Sequence, residues 1–375
     1  MKATVRTVSL NSDALRGDRL LTLRHMEGVT QAELAKSLGV GQAFISRVER
    51  GDKPMPEDLA VAAANQYKLP VEFFAQAPSV TDLGVPTFRK KSTASVRDEQ
   101  KILSIFGEAA RLFYVSSEHS GYLKFDVDDA VDDDVEETAS NLRSILGLDP
   151  DDPLLNATRA AERLGVGVIH DLIPGFGDGG SHHGVSRPCS AVDRPLIATV
   201  SHQPPAVARM TMMHELGHVV YDRGDSSMGR GVRAPEETRA FRFAGAMLIP
   251  ASVIRKRVTE SLTLNGYLAI KADYGVSVSA LVKRAEDLHV ISKARARSLF
   301  IQISSQGWRY NEPVPVAAER SLLVSQAAER AFDADGDLAA RTVGVALRHV
   351  EHWTELESRK TETPLAEVIQ LRSFG

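Results

Sequence analysis

Cysteine is almost missing from this 375-residue chain: Cys189 stands alone, so no intrachain disulfide can form. Long apolar runs are missing too. No stretch approaches the roughly 20 apolar residues a membrane-spanning helix needs. The first twenty residues, MKATVRTVSLNSDALRGDRL, lack the apolar centre of a signal peptide. There is little charge excess either: the net charge is -4, which argues against a nucleic-acid coat or a membrane-surface protein. These absences lead us to expect a cytoplasmic, reducing setting. With 43% apolar residues, the chain can bury a sizeable core and fill two or more domains.

The densest chemistry lies at Met213-His214-Glu215-Leu216-Gly217-His218-Val219-Val220. Residues four apart share a helix face, so His214 and His218 can aim two imidazoles at one metal ion. Glu215 then lies beside the water such an ion would polarise, as a carboxylate able to take its proton. Met212, Met213, Leu216, Val219 and Val220 make the rest of this helix apolar, and Gly217 lets another backbone come close. The bland alternative is a core helix with two satisfied histidines. It is disfavoured because a His-Glu-His trio is costly to bury without a compensating ion.

A zinc site of this kind needs a third protein ligand. Downstream, Ala240, Phe243, Ala244, Met247 and Leu248 follow helical spacing, Pro235 sits near the start and Pro250 ends the run. Glu237 shares a face with Ala240, Phe241 and Ala244 and is the candidate ligand. Glu236 points elsewhere and reads as a solvated acid complementing the helix dipole.

Near the start, Thr30 to Val40 reads as a short helix with Thr30 as N-cap, Glu33 completing a capping box and Gly39 just past its end. A second short helix, Gln42 to Arg50, is stopped by Gly51, and flanking helices are expected at Ala14 to Arg24 and Pro56 to Tyr67. Two short helices across a glycine turn form a helix-turn-helix, whose second helix enters the major groove. Its core would be Leu20, Leu23, Leu34, Ala35, Leu38, Ile45, Val48, Leu59 and Ala63. Gln42, Ala43, Ser46 and Arg47 face bases or phosphates in this reading, and Gln31 is placed for a phosphate. The string resembles the XRE family of lambda-repressor-like domains. The segment has about as many acids as bases, so DNA binding would be local, and stronger in a homodimer.

The region between is read piecewise. Ala77 to Pro86 is a linker, followed by the basic Thr87-Phe88-Arg89-Lys90-Lys91. Asp98 to Val115 is helical. The acid run from Asp126 lacks the glycine and final glutamate of a calcium loop. Val166 to Ile169 and Arg194 to Val200 read as strands, the latter as an edge where a peptide could add by β-augmentation. His182 and His183, on a glycine-rich loop, are candidates to stabilise an oxyanion, and Cys189 is a candidate to reach the metal. Helices are expected through Ser261 to Leu288 and around Ala317 to Phe332, with a strand at Thr342 to Val350.

His214 to His218, then Glu237-Thr238-Arg239-Ala240, Phe243-Ala244 and Leu248-Ile249-Pro250, resemble the ImmA/IrrE metallopeptidases, and Arg209 fits an arginine usual before the first histidine. Two positions depart from that pattern: Phe241 replaces an Asn or Asp, and Asp222 replaces a histidine. Asp222 would support the site or be a simple exposed acid. The resemblance, extending to about Pro313, implies a zincin-like fold, one catalytic zinc (or manganese) and cleavage of an XRE-type repressor in a stress response or mobile element. The expected architecture is multidomain. An all-α helix-turn-helix domain (13–76) and a linker (77–97) come first. An α+β zincin-like metallopeptidase region (98–313) and a C-terminal extension (314–375) follow. The expected partners are operator or own-promoter DNA and a protein substrate, with no membrane. Two other readings stay open: a DNA-binding regulator with a structural or sensory zinc, and one component of a toxin–antitoxin pair.

Overall fold

A computed structural model describes residues 15–84, 86–90, 95–176, 182–223 and 234–358. Four short helices come first: α1 (Asp18–Glu27), α2 (Gln31–Ser37), α3 (Gln42–Glu49) and α4 (Glu57–Tyr67). Thr30 caps α2 as its sequence predicts. Its hydroxyl accepts from the Glu33 amide at 3.2 Å, and the Glu33 carboxylate accepts from the Thr30 amide at 2.7 Å. Gly39 turns the chain toward α3 at φ 67°, a left-handed conformation glycine adopts without strain. All the expected core residues are buried except Leu38, which is half-buried.

Two 3₁₀ turns, Val71–Ala75 and Val80–Asp82, lead to β1 (Thr87–Lys90) and the long α5 (Val96–Ser120). Next come α6 (Val135–Ile145), α7 (Ala157–Arg163), β2 (Gly167–Ile169), β3 (His182–Ser186) and β4 (Leu196–Thr199). Then α8 (Pro205–Tyr221) and α9 (Ala234–Leu248) pair closely, followed by α10 (Ala251–Arg257), α11 (Leu264–Tyr274), α12 (Val278–Asp287) and α13 (Lys293–Ser305).

The sheet runs β1-β3-β4-β2, with β3 antiparallel to both neighbours and β2 parallel to β4. The edge expected at 194–200 is not formed. The 194–200 run supplies β4, an internal strand whose four residues are all buried. A continuous apolar strand belongs inside a sheet. The edges are β2 and β1, the latter drawn from the segment after the helix-turn-helix, with Thr87 opposite Ser186 and Phe88 opposite Val185.

The sheet separates two hydrophobic cores, because side chains alternate faces along a strand. Leu196, Ala198, Ile169 and Val185 face a core shared by α1–α4 and α5. Ile197 and Val168 face the second core, where Met212, Met213 and Leu216 of α8 meet Phe243 and Met247 of α9.

The C-terminal region closes the first core. It folds as α14 (Leu323–Ala331), α15 (Gly336–Val343) and α16 (Leu347–Thr354). The strand expected at 342–350 is not formed. Gly344 at φ 69° breaks the run, and Val343, Val345 and Val350 reach the core from a helix end, a turn and a helix. This region ties the two halves together. Arg348 donates to the Tyr67 carbonyl at 2.8 Å and to Glu27 at 2.7 Å, while the Trp353 indole N–H donates to the Leu172 carbonyl at 3.1 Å.

The helix-turn-helix is fastened to α5 by charge. Glu108, 1% exposed, accepts two bonds from Arg19 at 2.9 Å each and two from Arg111 at 2.8 and 3.1 Å. Burial alone would raise this carboxyl, but the two guanidiniums hold it below the usual glutamate range. Removing the carboxylate leaves two buried cations unpaired, which typically costs about 3–5 kcal/mol. Glu108→Gln should therefore lose stability of that order in denaturant unfolding. A loss under about 1 kcal/mol would show that the triad does not hold the seam.

Candidate metal centre

Pro204 and Pro205 start α8 where its first amides have no helical partner anyway. From there the helix runs through the core, and His214, Glu215 and His218 are each at most 4% exposed. Gly217 sets the distance to α9. A Cβ there would lie 3.1 Å from the Ala240 Cα, so the two backbones nearly touch, as the glycine predicted. That approach carries Glu237, one turn before Ala240, to the two histidines.

The three candidate ligands do converge. His214 Nε2 and His218 Nε2 are 3.2 Å apart. The Glu237 oxygens lie 3.5 Å from His214 Nε2 and 3.4 Å from His218 Nε2. Donors about 2.0–2.1 Å from a tetrahedral ion stand roughly 3.3–3.4 Å from one another. The trio therefore fits one small divalent cation, and two imidazoles with one carboxylate are a donor set zinc accepts. Glu236 is not part of this group. It is half-buried rather than solvated, because the first turn of α9 lies against the protein.

The two departures from the family pattern both contact the histidines. Asp222 is 5% exposed, and its carboxylate accepts from His218 Nδ1 at 2.6 Å. That bond leaves the Nε2 lone pair free for a metal. Arg239 of α9 binds the other Asp222 oxygen. Phe241 lays its ring 4.2 Å from the His214 ring, centroid to centroid, at an interplanar angle of 51°.

Glu215 lies under the sheet rather than in the trio. Ser186 of β3 donates to its Oε2 at 2.7 Å, and the Ser186 hydroxyl is 2.5 Å from Thr87 Oγ1 of β1. A Cβ on Gly184 would lie 2.5 Å from Glu215 Oε1, so only glycine leaves this carboxylate its place. Burial pushes the Glu215 carboxyl up to about 7, against the opposing effects of His218, Ser186 and Thr87. That value suits a proton acceptor near neutral pH. A cavity of about 100 Å³ opens beside it, lined by Gly184, Val207, Met210, Thr211, His214, Glu215 and Phe241.

Sequence reasoning missed Ser186, Thr87 and Gly184. Their roles follow from the pairing of β1 with β3, which leaves no local periodicity to read. The His182 and His183 side chains lie outside the described residues. Cys189 packs beside Gly84, where a glycine Cβ would be 3.0 Å from the cysteine Cβ.

On the helix-turn-helix, Gln42, Ala43 and Arg47 face solvent and Ser46 is half-buried. Arg47 Nε bonds the Ala43 carbonyl at 3.2 Å and keeps its other donors outward. Gln31 is half-buried and has a partner within the domain. Its amide donates to Glu49 at 2.8 Å, because that buried carboxylate needs donors and takes Arg24 and Gln31 together.

Comparison with known families agrees with this division. Residues 161–286 match the peptidase family profile described as the IrrE N-terminal-like domain, and residues 17–74 match a helix-turn-helix domain. The first match holds β2, β3, β4, α8, α9 and the whole candidate trio. No curated protein matches the chain.

Without metal, His218 is pushed up to about 10. Burial opposes its charge, but Asp222, Glu237 and Glu215 together outweigh it. A metal needs the neutral ring, so binding at pH 7 must release that proton. Metal affinity should rise with pH until the proton is gone and weaken as pH falls. Calorimetric titration of the metal-free protein with zinc in buffers of different ionisation enthalpy should find about one proton released. Asp222→Asn, which loses the charged partner of Nδ1, should weaken binding about 10- to 100-fold. Unchanged affinity in that variant would remove Asp222 from the site.

Proposed function

We propose that this chain is a zinc-dependent peptidase joined to a DNA-binding module, with an XRE-type repressor as its substrate. One observation carries the reading: three donors converge at tetrahedral spacing beside a buried carboxylate that is not one of them. His214, His218 and Glu237 would hold the ion. A bound zinc lowers the pKa of water toward about 7 and polarises a carbonyl. Glu215 takes the water's proton and returns it to the leaving amine. Ser186 and Thr87 keep the carboxylate of Glu215 at its post. A repressor cleaved here would free its operator, and the exposed face of α3 would hold the peptidase on DNA.

A second reading is a regulator whose metal is sensory. It is favoured by a trio of donors that needs no substrate room to hold an ion, with a cavity of about 100 Å³ beside Glu215 among the described residues.

Glu215→Gln separates the two. It should keep the metal and the fold. Peptidase action predicts that cleavage of a co-expressed XRE-type repressor falls by at least about a hundredfold, the lower end of general acid–base catalysis. The sensor reading predicts unchanged target-gene output in Glu215→Gln and altered output in His214→Ala. Repressor cleavage at the wild-type rate by Glu215→Gln would end the hydrolytic reading.

The DNA module is tested apart from the metal. Gln42→Ala with Arg47→Ala should weaken binding to the chain's own promoter region without lowering the unfolding midpoint, since both side chains are exposed. Wild-type protein that shows no salt-sensitive binding there would make the module a protein-docking element.

A further inference from the structure

We propose that Arg239 is a positioning residue of the metal centre: it holds the roll of α9 and the plane of the Asp222 carboxylate, and so sets Glu237 and His218 around one ion. This role rests on the reading of the trio as a metal site, and it holds whether or not that site turns over.

Arg239 follows the candidate ligand Glu237 by two residues on α9. Its guanidinium reaches the end of α8 that carries His218. Nη2 donates to Asp222 Oδ1, and the guanidinium carbon lies 4.9 Å from the centre of the Tyr221 ring. Tyr221 is the last residue of α8 and Asp222 is the next, one turn beyond His218. A loop therefore closes through space. It runs from Glu237 along α9 to Arg239, across to Asp222, and from there to His218.

Helix geometry gives this loop its use. Residues two apart lie about 200° apart around an α-helix. Glu237 and Arg239 leave α9 on nearly opposite sides, yet both reach α8 and the residue that follows it. A roll of α9 that brings one closer carries the other away. The approach of Gly217 to Ala240 sets how far apart the helices stand, but two backbones in near contact can still roll. The paired contacts remove that freedom.

The Asp222 carboxylate is held in the same way. Its Oδ2 accepts from His218 Nδ1 at 2.6 Å, and Arg239 takes its Oδ1. Held at one oxygen, the group could turn about its Cβ–Cγ bond. Held at both, its plane is set, and the orientation of the His218 ring with it. The Asp222 side chain is only 2% exposed. A ring that binds a metal through Nε2 is neutral. Arg239 is then the one permanent cation ion-paired with this buried carboxylate among the described residues.

The sign of the effect separates positioning from plain charge. A cation near a divalent ion repels it, so loss of the charge alone would tighten metal binding. Loss of a positioning contact weakens it.

The test is the zinc affinity of the full chain, read by competition with a chromophoric chelator, together with the visible spectrum of the cobalt-loaded protein. Arg239→Gln should weaken zinc binding about tenfold, the lower end for groups that stand behind a metal ligand. It should also change the cobalt spectrum, which reports coordination geometry. Arg239→Met keeps an apolar stem against Tyr221, should show the same loss, and decides the question if the glutamine variant folds poorly. Arg239→Lys should recover most of the affinity, because an ammonium also reaches one carboxylate oxygen and sits over a tyrosine ring. Arg242→Gln removes an exposed cation of the same helix and should bind zinc as wild type does. In an Asp222→Asn background, Arg239→Gln should cost less than it does alone, since Arg239 acts through Asp222. Zinc binding by Arg239→Gln and Arg239→Met as tight as wild type or tighter, an unchanged cobalt spectrum, or full additivity with Asp222→Asn would each overturn the proposal while leaving the metal centre in place. Wild-type protein that binds no zinc would overturn the metal centre, and the role of Arg239 with it.

Discussion

Gly217 has no side chain and Ala240 has only a methyl, so α8 and α9 meet with their backbones nearly in contact. The candidate centre depends on that contact. The two histidines are four residues apart on α8 and meet by helix geometry alone. Glu237 is on another helix and has no local reason to be near them. A side chain at 217 would need α9 to shift by a few tenths of an ångström at least. The three donors are separated by 3.2–3.5 Å, and a tetrahedral site tolerates little error. Met212, Met213, Leu216, Phe243 and Met247 pack around the contact and hold it by burial.

The second constraint is the sheet. It stands between the two cores, so a change on one face is felt on the other. Glu215 reaches up from α8 to Ser186 on β3, and Ser186 reaches across to Thr87 on β1. Thr87 belongs to the segment that leaves the helix-turn-helix. The carboxylate beside the metal trio is therefore held, through two hydroxyls, by the connector to the DNA-binding module. Glu108 and the C-terminal residues Arg348 and Trp353 fasten the same two halves at other points. The chain carries distinct sequence modules, but the first core joins α1–α4, α5 and α14–α16.

What the sequence disclosed was set by range. The His214–His218 pair was readable because helix periodicity places residues four apart on one face, and Glu237 because it shares a face with Ala240 and Ala244 of its own helix. The capping box at Thr30 and Glu33 and the glycine at 39 were readable for the same local reason. Ser186, Thr87 and the edge position of β1 were not, because strand pairing joins residues about a hundred positions apart. The segment at 342–350 misled because its valines suit a strand, and only Gly344 and the shared core make it two helices. The bond from Gln31 to Glu49 was not readable, because Glu49 is buried by tertiary packing. Of the two readings open for Asp222, support or an exposed acid, burial and its bond to His218 select support.

The account stands or falls on a metal bound by these three side chains. Anomalous diffraction at the zinc edge, from crystals of protein purified without added metal, would locate it directly. The account predicts one peak about 2.0–2.2 Å from His214 Nε2, His218 Nε2 and a Glu237 oxygen. It would be contradicted by zinc-replete crystals that show no peak there, or by a peak whose ligands leave out Glu237.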